Sequence, residues 1–397
     1  MSGPLDGVLI ADFSRVLAGP LATMTLADLG ATVIKVERPG AGDDTRAWGP
    51  PWSPHGATYF ESANRSKQSL TLDLSDAADL VLAQELAQRA DVFFENFRPG
   101  ALARFRLDYE SVRERNPQVV YTSISGFGAG AGADLPGYDF VVQALGGLMS
   151  VTGAPAGEPT KVGVALVDVL TGKDATIGTL AALAARDHSG HGAHVEVNLL
   201  SSLLGAMVNQ ASGYLGAGSV PRAMGNQHPS IAPYETLRAR DGIIAVACGN
   251  DGQFAKLAAA LGIPGLAQEA EFATNVARVQ NRPRLILALE ERLATKDVAT
   301  WQRELSAVGV PAGAVNSLPE AFALAEELGL APTYDLPGAS PQVRHPVRYS
   351  DGVLVEPSPP PRLGEHSAAL RAWLAGPADA APPRLTPPVT PPTDEGE

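Results

Sequence analysis

The feature that most constrains this chain is the alternation, over its first 125 residues, of short β-rich runs with helical ones. GVLIAD (7–12) and TVIKV (32–36) read as buried strands flanking PLATMTLADLG, where Pro20 suits a first helical turn and Gly30 a C-cap. SLTLDL, then DAADLVLAQELAQRA with Asp76 as N-cap, DVFFEN and VVYTSIS continue the alternation. Strands separated by helices bury both of their faces most simply when they run parallel beneath those helices.

Residues 165–216 read as a helix, a turn at SGHGAH, a strand HVEVN and one long Leu/Ala-rich helix of the same layered domain. From about Asp241 a new block begins, with a strand GIIAVAC and helical stretches around FAKLAAALG, RLILALEERLA and VATWQRELSAVG. Beyond residue 331 the chain becomes proline-punctuated and extended. The expected fold class is therefore α/β: a large Rossmann-like parallel-sheet domain with a second, smaller α+β domain. The expected boundaries are 1–220 for the first part of the large domain, 221–330 for the small one, 331–375 for a segment returning to the large domain, and 376–397 for a disordered Pro-rich tail.

Charge and cysteine usage exclude several classes. A net charge of −13 with no Lys/Arg run repels a phosphate backbone, so no nucleic-acid partner is expected. The single cysteine, Cys248, permits no intrachain disulfide and lies in an apolar run, which fits the core of a protein in a reducing compartment. MSGPLDGVLIADF lacks a basic leader, and no apolar stretch is long enough to span a bilayer, so a cytoplasmic protein without a membrane partner is expected.

Three segments can carry chemistry. DFSRVLAGP follows the first strand and enters a helix at Pro20, where free backbone N–H groups can hold an anion; it reads equally as an ordinary β-α turn. Arg38, Arg46, Arg98 and Arg104 stand in loops after strands, where parallel sheets bind ligands and a guanidinium fork matches phosphate or carboxylate oxygens; singly, each reads as surface charge. Asp168 sits inside the apolar VGVALVDVLTG, where a carboxylate is costly unless it is paired, functional or a helix N-cap, and cap and catalyst are equally open readings. His188, His191 and His194 fall in a glycine-bearing turn rather than a metal site, and no metal is expected. GFGAGAGA lacks the strand-helix context of a dinucleotide fingerprint, and there is no P-loop, nucleophile elbow or H-E-x-x-H.

With those segments in place, the chain resembles the family III CoA-transferases, the group that includes formyl-CoA transferase, carnitine CoA-transferase and, as a divergent branch, α-methylacyl-CoA racemase. The resemblance runs through DFSRVLAGP, LADLGATVIKVERPGAGDDTR, NRSKQSLTLDL, ADVFFENFRPGALARF, NPQVVYTSISGFG, PGYDFVVQALGGLMSVTG, VALVDVLTG and PRLGEH. It implies an acyl-CoA substrate and small carboxylic acids as partners in the reaction, with Asp168 as the nucleophile that forms a mixed aspartyl anhydride. It implies contacts to coenzyme A from Val16, Ala18, Arg38, Leu72, Asn96, Phe97 and Arg104, with Tyr138 and Asp139 near the acyl group. The run PTKVGVALVDVLTG most resembles members that move CoA from succinyl-CoA to other dicarboxylic acids, which makes Arg15 or Arg46 a partner for a distal carboxylate.

The glycine-rich loop of formyl-CoA transferase has only the shorter AMGNQHP as a counterpart, which argues against a formyl/oxalyl pair. Racemases of the family carry GHD where this chain has Gly137-Tyr138-Asp139, and a tyrosine with an ordinary pKa of about 10 is a poor replacement for a histidine base. An acyl-CoA racemase, a hydratase-like CoA processor, a non-catalytic CoA-binding relic and a Rossmann-type nucleotide-binding module are the competing readings. The resemblance further implies a homodimer of interlocked chains.

Overall fold

The computed structural model describes residues 3–350 and 354–383, which divide into two compact units. The first takes the described residues of 1–148, 162–218 and 332–397; the second takes 149–161 and 219–331.

The first unit is built on six parallel strands: β1 (Leu9–Asp12), β2 (Thr32–Glu37), β3 (Lys67–Thr71), β4 (Val92–Glu95), β5 (Val120–Ser125) and β6 (Ala193–Asn198). Their spatial order is β3-β2-β1-β4-β5-β6. The direction of winding reverses between β1 and β4, and it is outside the carboxyl ends of strands at such a reversal that open parallel sheets bind ligands.

Strand alternation explains the two cores. Leu9, Ala11, Ile34 and Phe93 point to one face, packing with Leu86 of the Ala77–Arg89 helix and Leu370 and Leu374 of the Ser367–Leu374 helix. Ile10, Val33, Val92 and Phe94 point to the other, under Leu26 of the Ala18–Asp28 helix and Val167, Ala175 and Leu183 of the Leu166–Ser189 helix. Phe13, Phe93 and Tyr121 stack in series across the first face at 4.7 and 4.8 Å between ring centroids. Asp76 caps its helix as expected, accepting from the N–H groups of Ala78 and Asp79.

In the second unit, strands Tyr234–Arg238, Ile243–Ala247 and Ala312–Ala314 form an antiparallel sheet with Ile243–Ala247 central. Its core gathers Leu237, Val246, Cys248, Phe254, Leu285, Leu289, Trp301 and Leu305. Cys248 is a free, fully buried thiol, and burial pushes it up to about 12.

Several expectations are corrected. Residues 149–161, assigned above to the large domain, cluster with the second unit, where the Gly225 N–H donates to the Gly153 carbonyl at 2.8 Å. The helix expected as one piece after HVEVN is broken at Met207, whose N–H is shared between the Leu203 and Leu204 carbonyls, and Val208 turns to φ 33°. β3 begins at Lys67 rather than Ser69, because Lys67 is wholly buried with all its hydrogen bonds internal. Disorder was expected from residue 376, yet residues 376–383 pack on the large unit: Arg89 donates to the Gly376 and Pro377 carbonyls, Trp373 Nε1 to Ala380 O at 2.7 Å, and Gln68 Nε2 to Pro383 O at 2.6 Å. Prolines lack a donor, but their carbonyls remain good acceptors. The rest of that expectation, 384–397, lies outside the described residues.

Candidate active site

Two cavities open outside the carboxyl ends of β1 and β4, where the winding reverses. One, of about 280 Å³, is lined by Arg15, Val16, Leu17 and Ala18 from the loop after β1, Asn96 and Phe97 from the loop after β4, the 124–138 segment, and Asp168. The other, of about 460 Å³, is lined by Arg38, Leu72, Phe97, Arg104 and again Arg15. Arg15 and Phe97 belong to both walls, so the two cavities adjoin at that pair. Val16, Ala18, Arg38, Leu72, Asn96, Phe97, Arg104 and Asp168, scattered over 153 positions of sequence, thus meet along one groove.

Asp168 is the third residue of the Leu166–Ser189 helix, so it is not that helix's cap. The cap comes from elsewhere. Asp139 Oδ2 accepts from the Val167 N–H at 2.7 Å and the Asp168 N–H at 3.3 Å, while its Oδ1 accepts from Gln143 Nε2 at 2.6 Å. Gln143, fully buried, in turn accepts from the Val162 N–H at 2.9 Å, so one amide pins the segment leading into the helix. This frees the Asp168 carboxylate to face the cavity, and burial, then the nearby Asp139 charge, push it up to about 7. Gly172, one turn on, is the reason the helix can come so close: a Cβ there would lie 2.7 Å from the Ala18 carbonyl oxygen.

The loop after β1 is held by buried charges. Lys35 and Lys67, both with fully buried side chains, pair with Asp43 at 2.8 Å and Asp12 at 3.1 Å. Asp12 accepts from the Ser14 N–H and hydroxyl, Lys35 donates to the Ser14 carbonyl, and Asp43 faces the Val16 N–H with both oxygens at 3.3 Å. Burial disfavours the Asp43 charge, but Lys35 and Thr45 prevail and hold the carboxyl down at about 2. Burial depresses Lys67 to about 8 despite its Asp12 partner.

The structure reassigns some residues. Asn96 was expected to offer its amide to a ligand; instead Oδ1 accepts from the Arg15 N–H at 2.9 Å and Nδ2 donates to the Arg15 carbonyl at 2.7 Å, which fastens the loop. Arg46 is removed from the candidate substrate contacts, because its fork is consumed by Glu37 at 2.7 and 2.8 Å, it donates to the Pro361 carbonyl, and it stacks over Phe60 in a different cavity. Asp139 acts on the helix rather than on the cavity wall, and Tyr138 stands exposed at the rim. Arg15 remains in place: Asp44 holds Nη1 at 3.3 Å, and the buried Nε has no hydrogen-bond partner among the described residues.

Other contributors were not foreseen. Gly126, Gly128 and Gly132 of the discounted glycine run form cavity wall, and a Cβ on Gly126 would fall 2.4 Å from the Gly137 Cα, so both positions need glycine for the loops to cross. The half-buried Tyr59 hydroxyl is pushed up by burial and then by the charges of Asp168, Asp139 and Asp43. Among the described residues no group of three or more His, Cys, Asp or Glu is arranged to hold a metal ion, and no helix is long and apolar enough to cross a membrane.

Residues 5–367 match the model of CoA-transferase family III. The chain is 42% identical over 386 residues to the succinate–glutarate CoA-transferase of Agrobacterium fabrum, covering 94% of this chain and 96% of that one. It is 36% identical to the succinyl-CoA:mesaconate CoA-transferase of Haloarcula hispanica, over 93% of this chain and 96% of that one. Among solved structures it is similar to a CAIB/BAIF family protein from Brucella suis, with a TM-score of 0.85 at 45% identity, covering 94% of this chain and 100% of that one. A ligand groove at the sheet's reversal point, with the Asp168 carboxylate in its lining, agrees with these matches: the chain belongs to CoA-transferase family III and is an enzyme that moves coenzyme A between carboxylic acids.

Proposed function

We propose that Asp168 is the nucleophile, that coenzyme A lies along the joined cavities with its phosphates toward Arg38 and Arg104, and that the acids exchanged are dicarboxylic, with succinyl-CoA as donor. The observation that carries this reading is the Asp168 carboxylate, facing the cavity built by the CoA-side loops while Asp139 takes over the capping of its helix. The Asp168 oxygen attacks the thioester carbonyl, the C–S bond breaks, and a mixed anhydride forms as CoA thiolate leaves. The thiolate attacks the aspartyl carbonyl, releasing the donor acid and leaving an aspartyl thioester. The acceptor carboxylate attacks that thioester to give a second anhydride, and the thiolate then takes the acceptor acyl group, restoring Asp168.

The dicarboxylic assignment is supported by the names of the succinate, glutarate and mesaconate enzymes and by Arg15, whose unpartnered Nε suits a distal carboxylate. Exposed Ile177, Leu204, Val208 and Leu215 on the large unit support a homodimer, and we place the enzyme in the cytoplasm. The test is mass spectrometry after brief incubation with succinyl-CoA and hydroxylamine. The expected result is a hydroxamate at Asp168, together with label exchange between succinyl-CoA and glutarate. An unmodified Asp168 and no exchange with any dicarboxylate would falsify the assignment.

A further inference from the structure

Val16 has φ 70°, the left-handed region that a β-branched side chain avoids. A residue persists there only where its surroundings over-determine it. Around Val16 they do: Asn96 grips both backbone groups of Arg15, Asp12 and Lys35 fix Ser14, and Asp43 takes the Val16 N–H. Among the described residues, Asp43 is the group that bonds the strained residue's own N–H. It cannot swing away, because its Oδ1 also accepts from the Thr45 N–H and hydroxyl and its Oδ2 is paired with Lys35. Both side chains of the pair are fully buried, beneath the wall of the cavity that holds Arg38 and Leu72.

We infer that the buried Lys35–Asp43 pair is a positioning device that holds Val16 in its left-handed conformation and so sets the backbone path from Arg15 to Ala18 along which coenzyme A is bound. It acts through the loop and touches no reacting atom. The inference rests on the placement of coenzyme A in the joined cavities. Its signature is in binding, not chemistry: losing the clamp lets Val16 relax to a negative φ and moves the loop, whereas Asp168, held by Asp139, stays in place.

The experiment is calorimetric titration of CoA, with steady-state kinetics, on Asp43→Ala and on the double variant Asp43→Ala with Val16→Gly. Backbone strain of this kind is on the order of 1–3 kcal/mol, so Asp43→Ala should weaken CoA by about fivefold to a hundredfold and raise KM with kcat changed less than about threefold. Glycine adopts φ 70° without penalty, so the double variant should recover most of the lost affinity. Asp43→Asn keeps the volume and one acceptor and serves if the alanine variant does not fold; it should show a smaller loss with the same rescue. Unchanged affinity in the Asp43 variants, or a loss that Val16→Gly leaves untouched, overturns the positioning role. Arg38→Ala is titrated in parallel: if it weakens CoA while the Asp43 variants do not, only the clamp fails, and if neither weakens CoA the binding site itself lies elsewhere.

Discussion

On the proposed mechanism the carboxylate that attacks the thioester must be ionised, and Asp168, raised to about 7 by burial and by Asp139, is half protonated near neutrality. The rate of acylation should therefore rise with pH through about 7 and fall roughly tenfold per unit well below it, as measured by kcat/KM for acyl-CoA; a flat profile from pH 5 to 8 contradicts the assignment. The same shift acts on stability. The folded-state value lies above the ordinary 3.8, so ionising Asp168 opposes folding; the penalty is complete above about 7 and disappears as pH falls toward 3.8. Asp168→Asn should accordingly raise Tm more at pH 8 than at pH 4.

Two helices meet at Asp168, the proposed nucleophile. The Leu166–Ser189 helix has no side chain of its own at its N-cap, Ala165, and borrows Asp139 from the start of the Asp139–Leu145 helix. One carboxylate thus both satisfies the helix end and repels the charge on Asp168. Asp139→Asn retains an acceptor for the N–H groups but removes the repulsion. It should move the acid limb of the kcat/KM profile to lower pH, by up to about one unit, with a loss of Tm smaller than that of Asp139→Ala. An acid limb that stays in place while Tm falls equally in both variants leaves Asp139 as a cap alone.

At the scale of the whole chain, the sheet of the first unit and its flanking helix are completed by residues more than 280 positions away. Arg371 forks onto Asp79 at 2.6 and 3.0 Å and donates to the Thr71 carbonyl, while Arg89 stacks on Trp373 and donates to the carbonyls of Trp373, Leu374, Gly376 and Pro377. These last carbonyls end the Ser367–Leu374 helix, where a cation is favourable and unpaired acceptors are costly. Arg89→Ala should destabilise the protein by about 1.5–3 kcal/mol and expose the segment after residue 366 to limited proteolysis before the rest unfolds; uniform protease resistance would show the segment to be held by its apolar face alone.

The alternation of strands and helices, the parallel sheet and the cap at Asp76 were legible in the sequence, because side-chain periodicity and capping are local and repeat every few residues. So were Asp168 and the arginine loops as chemically odd positions. What stayed hidden depends on groups far apart in sequence. The strand reads only from Ser69, since nothing local shows that Asp12 and Asn64 will satisfy Lys67 in the core. Whether Asp168 caps its own helix stayed open until Asp139, 29 residues earlier, took the helix end. Arg46 and Arg15 looked alike until Glu37 claimed one of them. Periodicity fixes which face of an element is buried, but which charge meets which is settled only when the elements dock, because electrostatic partners are chosen by distance in space and burial multiplies the energy of that choice.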